Sequence, residues 1–264
     1  MDGVKIYVIT HKPVKSVTPS PTYRRLFVGA ALPDRKVPAG YLRDDQGDGG
    51  ISAKNGSYCE LTGLYWIWKH SKADIAGLVH YRRYLFAKRC PRNGHEDILA
   101  MRMVLEADEI RKTLAHSDII LPELYSLNEY NVRSHYETFH HIEDLMCTRE
   151  VISEHCPEYL EAFDDVMRYR KFFFANMFVM KKELVDSYCE WLFDILFEVE
   201  RRTDTSDYDD YQKRIYGFLS ERLLNVWVRH NGLKPAQRQV YDPEEFQTLG
   251  DELKQRLTLK KIRR

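Results

Sequence analysis

The sequence predicts an α/β fold with a central, mostly parallel sheet flanked by helices. Residues 5–10 form a short β-branched stretch that runs into a polar loop ending at Pro13, as nucleotide-binding α/β folds commonly begin. Residues 75–79 are a second apolar run, typical of a strand that is buried on both faces. Helical patterns at 58–70 and 106–115 alternate with the strands, as expected when helices connect parallel strands.

Composition and charge are those of an ordinary globular protein. The 264 residues are 44% hydrophobic and 30% charged, enough to bury a large core within one domain. The 40 basic and 40 acidic side chains cancel, so no net field attracts nucleic acid. The 17 Tyr, 12 Phe and 4 Trp supply many rings suited to stacking on sugars or bases, although aromatic cores are commoner.

Cysteine usage and hydropathy predict a cytoplasmic protein. The five cysteines are widely spaced and form no CxxC pair, so reduced thiols are the simplest interpretation. The first strand leaves no room for a signal peptide, and no apolar run approaches the ~20 residues of a membrane span. From Lys254 onward the chain is basic with interleaved aliphatic residues, a pattern that can rest on an anionic bilayer surface. A solvated end is the commoner outcome.

The most concentrated chemistry follows the apolar run at 75–79. His80, Tyr81, Arg82 and Arg83 come directly after it. Buried guanidinium groups are costly without partners, and arginine at the carboxyl end of a parallel strand is well suited to clamp a phosphate. The competing interpretation pairs both arginines with acidic neighbours, and these four residues alone do not decide between the two.

A second polar cluster lies within residues 41–52, where three acids and three glycines in seven residues disfavour both helix and strand. Asp44, Asp45 and Asp48 could hold a cation, but the segment lacks the spacing and final glutamate of an EF-hand. It also lacks the GxGxxG and Walker patterns. A solvated turn is the other interpretation.

The helix at 58–70 is predicted to begin with Ser57 as its N-cap and Glu60 at the capping-box position, so Glu60 is interpreted as a cap rather than a catalyst. Farther along, residues 128–169 predict several helical pieces that break near Pro157.

These pieces carry three side chains with metal-ligating chemistry. His140 and His141 lie three or four residues before Asp144, a spacing that allows a metal pair on one helix face. A third ligand is not evident, so an exposed polar helix surface is the simpler interpretation.

The C-terminal half predicts one more strand and two long helices. Residues 171–180 form a fully apolar strand interrupted by Asn176, whose buried amide must bond to neighbouring backbone or to a ligand. Residues 182–201 and 211–230 predict long helices on either side of an acidic, disordered-looking segment at 203–210.

Several of these segments together resemble one protein family. The matching motifs are residues 5–12 (KIYVITHK), 44–48 (DDQGD), 55–69 (NGSYCELTGLYWIWK), 77–86 (GLVHYRRYLF), 176–180 (NMFVM) and 216–223 (YGFLSERL). They are similar to those of the bacterial glycosyltransferase family first catalogued as a domain of unknown function, number 4422, and the resemblance reaches about Asn231. The acidic loop departs from the family by an extra residue within 48–51, which could alter how the loop closes.

The resemblance implies a fold, an activity and substrates. The fold would be a single GT-A-like domain at 1–240, followed by a basic C-terminal tail at 241–264. The activity would be the inverting transfer of galactofuranose from UDP-galactofuranose to a growing lipid-linked glycan, in capsule, exopolysaccharide or O-antigen assembly at the inner face of the cytoplasmic membrane. Alternatives are another donor such as UDP-galactopyranose, or a sugar-nucleotide or glycan-binding module without turnover. RNA binding by the aromatic and basic stretch is disfavoured by the neutral net charge.

The resemblance also suggests which residues hold the donor. In GT-A-like enzymes the end of the first strand holds the nucleotide, which makes Thr10, His11 and Lys12 candidates for the uridine. The acidic DXD pair that usually holds a divalent metal is replaced here by residues 80–83. Arg82 and Arg83 are therefore predicted to stabilise the leaving UDP. The remaining residues predicted to bind the sugar nucleotide are His80, Tyr81, Asp44, Asp45, Asp48, Asn55, Glu60 and Asn176. A competing interpretation keeps Mn²⁺ or Mg²⁺ on the three aspartates, so no cofactor is assigned.

An inverting transfer needs one general base to accept the proton of the acceptor hydroxyl. Glu221 in the last predicted helix is the leading candidate, and Asp144 and Asp209 are the alternatives. Glu221 could equally form a structural ion pair with Arg222.

Overall fold

The computed structural model describes residues 3–14, 20–87 and 104–241, and each statement about structure below concerns those ranges. The strands in chain order are β1 (Val4–Thr10), β2 (Tyr23–Phe27), β3 (Leu42–Arg43), β4 (Ile75–His80), β5 (Tyr84–Leu85), β6 (Ile119–Pro122), β7 (Tyr125–Ser126), β8 (Lys171–Phe172), β9 (Phe178–Lys181), β10 (Pro235–Arg238) and β11 (Val240–Tyr241). The α-helices are α1 (Asn55–Tyr58), α2 (Leu61–His70), α3 (Ala107–Leu114), α4 (Val132–Phe139), α5 (Ile142–His155), α6 (Leu160–Met167), α7 (Lys182–Arg202) and α8 (Ile215–His230). Short 3-10 turns cover Ser52–Lys54, Pro157–Tyr159 and Gln212–Arg214.

A seven-stranded sheet in the order β10-β6-β9-β4-β1-β2-β3 organises the described chain. β1 pairs in parallel with β2 and β4, β2 with β3, and β10 with β6, whereas β9 runs antiparallel to both of its neighbours. The carboxyl ends of six strands and the amino end of β9 therefore lie at one edge. The prediction of a mostly parallel sheet flanked by helices is confirmed.

Alternating side chains of the central strands feed two cores on opposite faces of the sheet. Tyr7 and Ile9 of β1 pack with α2 and with the helical layer of α5 to α8. Ile6 and Val8, which point the other way in the strand, pack with α3 and β5. This explains why the run at 75–79 is apolar throughout, because both faces of β4 are covered.

Gly77 is a requirement of the β4–β9 pairing. A Cβ at this position would lie 2.3 Å from the carbonyl oxygen of Phe178 and 2.8 Å from a methyl carbon of Val179. No side chain fits in that space, so glycine lets the one antiparallel strand pack tightly against the strand that carries residues 80–83.

The N-terminal cap predicted for the helix at 58–70 is wrong. Cys59 adopts a left-handed conformation (φ 49°), which ends α1 and starts a separate helix at Leu61. Ser57 lies inside α1, where its hydroxyl donates to the carbonyl of Lys54. The Glu60 side chain makes no capping bond, and the kink turns it toward the sheet edge instead.

The continuous strand predicted at 171–180 is also wrong. β8 ends at Phe172 and β9 starts at Phe178, and the side chain of Asn225 bonds to both the N–H and the carbonyl of Phe173 (2.8 and 2.9 Å). Ala175 and Asn176 then take left-handed conformations (φ 78° and 46°), which a strand cannot contain. The buried amide of Asn176 was the only sequence signal of this break.

The remaining predictions divide between small boundary shifts and one further error. The helical pieces predicted at 128–169 are observed as α4, α5 and α6. The acidic segment at 203–210 is an ordered turn, in which Asp204 accepts from the backbone of Ser206 and Tyr208 reaches α5. Nearly all of the basic tail lies outside the described residues. No described helix has the length and apolarity needed to cross a membrane.

Candidate functional site

A cavity of about 1300 Å³ opens at the sheet edge where the six carboxyl ends meet. Ligands of open α/β sheets bind outside the carboxyl ends of the strands, and this cavity occupies that place. The predicted site residues that line it are Thr10, His11, Asn55, Glu60, His80, Tyr81, Arg82, Arg83 and Glu221. Segments far apart in sequence therefore meet around one space.

One side of the cavity, beyond β1 and β4, is cationic. Burial lowers the pKa of His11, and the positive charges of Lys12, Arg35, Arg82 and Arg214 lower it further. Of these four cations, Arg82 and Arg214 also line the cavity. The ammonium group of Lys12 also lies 4.8 Å from the ring centre of Tyr81.

Residues 80–83 form a tight turn that holds this side in place. The N–H of Arg83 donates to the carbonyl of His80 (3.0 Å), and the N–H of Tyr81 donates to the carbonyl of Ile9 (3.0 Å). The Tyr81 ring meets His11 edge to face, with centroids 5.5 Å apart. The turn thus fixes the two arginines beside the end of β1.

The two left-handed residues before β9 join the centre of the site. The carbonyl of Ala175 accepts from Nε2 of His80 (2.6 Å), and its N–H donates to Oε1 of Glu221 (3.2 Å). The amide of Asn176 donates to Oε1 of Glu60 (2.7 Å). Left-handed non-glycine backbone is costly and recurs at functional sites, where surrounding contacts hold it. Here the strained pair positions an imidazole and two carboxylates relative to one another.

Glu221 is a largely buried carboxyl at the wall of the cavity. Its side chain is 12% exposed, and it accepts from the guanidinium of Arg222 (3.0 Å) in addition to Ala175. Burial raises the pKa of Glu221 to about 7, the nearby Glu60 carboxylate adds to the rise, and the charges of Arg222 and Arg83 oppose it. A carboxyl with a pKa near neutrality can accept a proton at physiological pH.

Arg222 supports this carboxyl from behind. Its side chain is 2% exposed, and it donates to the carbonyl of Phe218 (2.9 Å) and to Nδ1 of His135 (3.3 Å). The guanidinium also faces the rings of Tyr136 and Phe172, 5.1 and 5.4 Å from their centres. Glu221 and Arg222 therefore form an ion pair, and Glu221 lines the cavity at the same time.

The acidic loop does not face the cavity as a ligand site. Asp44 is fully buried, and its two oxygens accept four hydrogen bonds: from the N–H groups of Gly29 and Ala30 and the hydroxyls of Ser52 and Thr62, at 2.6 to 3.0 Å. With both oxygens filled by protein donors, Asp44 has no position left for a metal or a sugar. Its prediction as a ligand is corrected on this ground.

The other two aspartates of the loop stand apart from the cavity lining. Asp45 forms a two-point ion pair with Arg43, with contacts of 2.8 and 2.7 Å. Asp48 lies in an exposed turn. In the described ranges no three His, Cys, Asp or Glu side chains converge as metal ligands, and the acidic loop does not fit a divalent metal site.

Four further predicted residues lie beside or behind the cavity rather than in its wall. Lys12 flanks Tyr81, and Asn176 lies behind the wall, where its amide also reaches Gly217 and Ser220. Asp144 is buried under Tyr208, whose hydroxyl donates to it (2.9 Å), and burial raises its pKa to about 6. Asp209 caps a 3-10 turn by accepting from the N–H of Gln212. The latter two do not line the cavity, and neither reaches a position from which to act as base.

Several lining residues were not predicted from sequence. Arg214 donates through Nε to Sγ of Cys59 (3.3 Å) and faces the Phe218 ring. Leu124, Tyr125, Phe139 and Phe174 form an apolar part of the wall. Arg214 lies two residues before the 216–223 motif, a signal that could have found it. The apolar residues carried no signal, because exposed and buried aromatics look alike in sequence.

The fold and the cavity define an α/β protein with a candidate ligand site at the carboxyl ends of its strands. A family model described as Domain of unknown function (DUF4422) matches residues 5–232, and the chain belongs to that family. Among solved structures, an apo structure of the WbbM bifunctional glycosyltransferase is similar, with a TM-score of 0.80 and 31% sequence identity. The similarity covers 90% of this chain and 45% of that one, so the chain spans less than half the length of WbbM. No curated protein matches the sequence.

Proposed function

We propose that the protein is an inverting glycosyltransferase that moves a hexose from a UDP-sugar to a glycan acceptor. The observation that carries this proposal is the union, in one cavity, of a cationic side with a buried carboxyl whose pKa is about 7. A diphosphate leaving group requires the first feature, and a hydroxyl nucleophile requires the second. The activity named for the similar WbbM structure supports the same class of reaction.

The cationic side is proposed to bind the diphosphate of the donor. Arg82 and Arg83 lie in a turn fixed by backbone bonds, beside His11 at the end of β1. Guanidinium groups held in advance stabilise charge as it develops on a departing phosphate without reorganising. In this proposal they supply the positive charge that a divalent metal supplies elsewhere.

Glu221 is proposed to be the general base. The acceptor oxygen attacks the anomeric carbon, the bond from that carbon to the diphosphate oxygen breaks, and UDP leaves with the bonding electrons. Glu221 takes the hydroxyl proton as the new bond forms. Attack from the face opposite the leaving group inverts the anomeric centre.

The proposed donor sugar, acceptor and location of the enzyme rest on the family resemblance. They are galactofuranose as the transferred sugar, a lipid-linked cell-surface polysaccharide as the acceptor, and action at the inner face of the cytoplasmic membrane. UDP-galactopyranose is the first alternative donor to compare, because a cationic diphosphate site recognises the group that both donors share.

The test is UDP release from a panel of UDP-sugars, each with water alone and with short soluble oligosaccharides of different terminal sugars. We expect acceptor-dependent release that is greatest with UDP-galactofuranose and that persists in EDTA. Binding of UDP-sugars without release from any of them would instead indicate a module without turnover. Complete loss in EDTA that Mn²⁺ restores would overturn the role given to the arginines and leave the transferase proposal standing.

A further inference from the structure

The large exposed hydrophobic side chains of the described chain are concentrated at the cavity. They are Leu124 (40% exposed), Tyr125 (56%), Phe139 (48%), Tyr169 (40%) and Tyr211 (52%). All of these except Tyr169 line the cavity. Exposed apolar side chains gathered in one place usually mark a binding surface, whereas scattered ones require no explanation.

Four of the lining residues form what we call the aromatic wall: Leu124, Tyr125, Phe139 and Phe174. Two of its rings, Tyr125 and Phe174, pack on further aromatic side chains. Tyr125 rests on Phe174 with centroids 5.6 Å apart, and Phe174 meets the buried Phe172 edge to face at 5.6 Å. β7 and β8 pair Tyr125 with Phe172, which fixes the backbone beneath the stack. The rings of Tyr125 and Phe174 are therefore held in place before any ligand arrives, and binding to them costs little conformational entropy.

Leu124 and Tyr125 of the aromatic wall lie at a different part of the sheet edge from the cationic side. Leu124 and Tyr125 follow β6, whereas His11 follows β1, and β9 and β4 lie between those two strands. Three strand spacings separate them, or about 14 Å. Glu221 bonds to Ala175 just before β9, so the proposed base lies between the two sides.

The volume of the cavity agrees with two occupants. At about 1300 Å³ it exceeds the roughly 300–1,000 Å³ usual for a site that holds one small molecule. The aromatic wall is poorly suited to a diphosphate, because it offers ring faces and an aliphatic side chain rather than donors. A sugar ring presents C–H groups on its faces and hydroxyls at its edge, and it fits a surface of aromatic faces bordered by polar groups.

On the basis of the proposed function, we infer that the aromatic wall binds the terminal sugars of the acceptor glycan by stacking. The acceptor then approaches from the β6 side, the UDP-sugar lies on the β1–β4 side, and the reacting hydroxyl meets Glu221 between them. This arrangement makes Tyr125 a binding residue for the acceptor alone, and Phe139, which lines the same cavity, is the second candidate.

The test compares Tyr125→Ala and Phe139→Ala with Tyr169→Ala, using the soluble oligosaccharide that is the best acceptor in the panel described above. Tyr169 is the control because it is also a large exposed aromatic residue but does not line the cavity. We expect the two wall variants to raise the KM for the acceptor by roughly 3- to 10-fold, as expected for loss of one stacking ring. The KM for the UDP-sugar should stay within about twofold. Tyr125→Phe, which keeps the ring, should restore most of the acceptor affinity.

Three outcomes would overturn the inference. The first is an equal rise in the donor KM, and the second is an equal effect of Tyr169→Ala. The third is a normal acceptor KM in the two wall variants together with reduced co-sedimentation of these variants with vesicles of anionic phospholipid. That result would make the aromatic wall a membrane contact. All three require active wild-type enzyme, so absence of any transfer by wild type is a separate result that removes the proposed function itself.

Discussion

Asp44 and Glu221 are both buried carboxylates near one cavity, yet their surroundings differ in kind. Asp44 accepts four hydrogen bonds and has no exposed surface. Glu221 accepts two, keeps 12% of its side chain exposed and faces the cavity. Four protein donors hold the Asp44 side chain in place, whereas a carboxyl such as Glu221, with few donors in a largely buried site, gains basicity and can accept a proton. The number of donors therefore separates a structural acid from a reactive one.

The largest expected effect comes from removing the basicity of Glu221. Glu221→Gln should keep a hydrogen bond with Ala175 but cannot accept the acceptor's proton, so kcat should fall by roughly 10²- to 10⁴-fold. The KM for the UDP-sugar should change little, because the cationic side is untouched. Steady-state UDP release with saturating acceptor measures both quantities.

Glu60→Gln is the matched control for this variant, since Glu60 lines the same cavity and bonds to Asn176. It should lower kcat by less than about tenfold. If Glu60→Gln abolished transfer while Glu221→Gln retained it, Glu60 rather than Glu221 would be the general base.

The next effect is on stability and tests the other half of the comparison. In Asp44→Asn the new carbonyl can serve one pair of donors, but the new NH₂ group faces the other pair. Leaving buried donors unmatched should lower the free energy of unfolding by about 2–4 kcal/mol. A Tm lower by about 4–12 °C is expected for a chain of this size.

Asp45→Asn provides the comparison for that measurement. Its ion pair with Arg43 is partly exposed to solvent, where such pairs contribute little to stability. Equal thermal shifts for the two variants would show that the four bonds to Asp44 stabilise the fold no more than one exposed ion pair does.

Sequence reasoning found the parts of the site that local pattern encodes. The apolar run before residues 80–83 placed both arginines at a strand end, and the helical pattern around Glu221 placed that acid in a helix. Both depend on side chains close together in the sequence. The same reasoning could not tell whether Asp44 was open to a ligand, because its donors come from residues 29, 30, 52 and 62.

The centre of the site escaped prediction for a different physical reason. Residues 171–180 are apolar enough for a strand, but Asn225 supplies the hydrogen bonds of Phe173 from another helix. That tertiary contact allows Ala175 and Asn176 to leave the strand conformation and hold Glu221, His80 and Glu60. Propensity is a weak guide wherever a distant side chain replaces a backbone partner.

The smallest expected effect sharpens the account of Glu221 through pH. A base must be unprotonated to act, and burial raises the pKa of Glu221 to about 7. In wild type, kcat/KM should therefore rise with pH through an apparent pKa of about 7 and level off above it. The positive charge of Arg222 lowers the pKa of Glu221, so Arg222→Met should move this rise to higher pH, by about one pH unit. Arg222→Lys keeps the charge and should leave the profile near that of wild type. A wild-type profile that is flat from pH 5.5 to 8.5 would contradict the role of Glu221 as the base. A flat profile would mean that the base is a carboxyl with an ordinary pKa or a residue of another type. This measurement needs only the wild-type protein, so it holds even if neither variant folds.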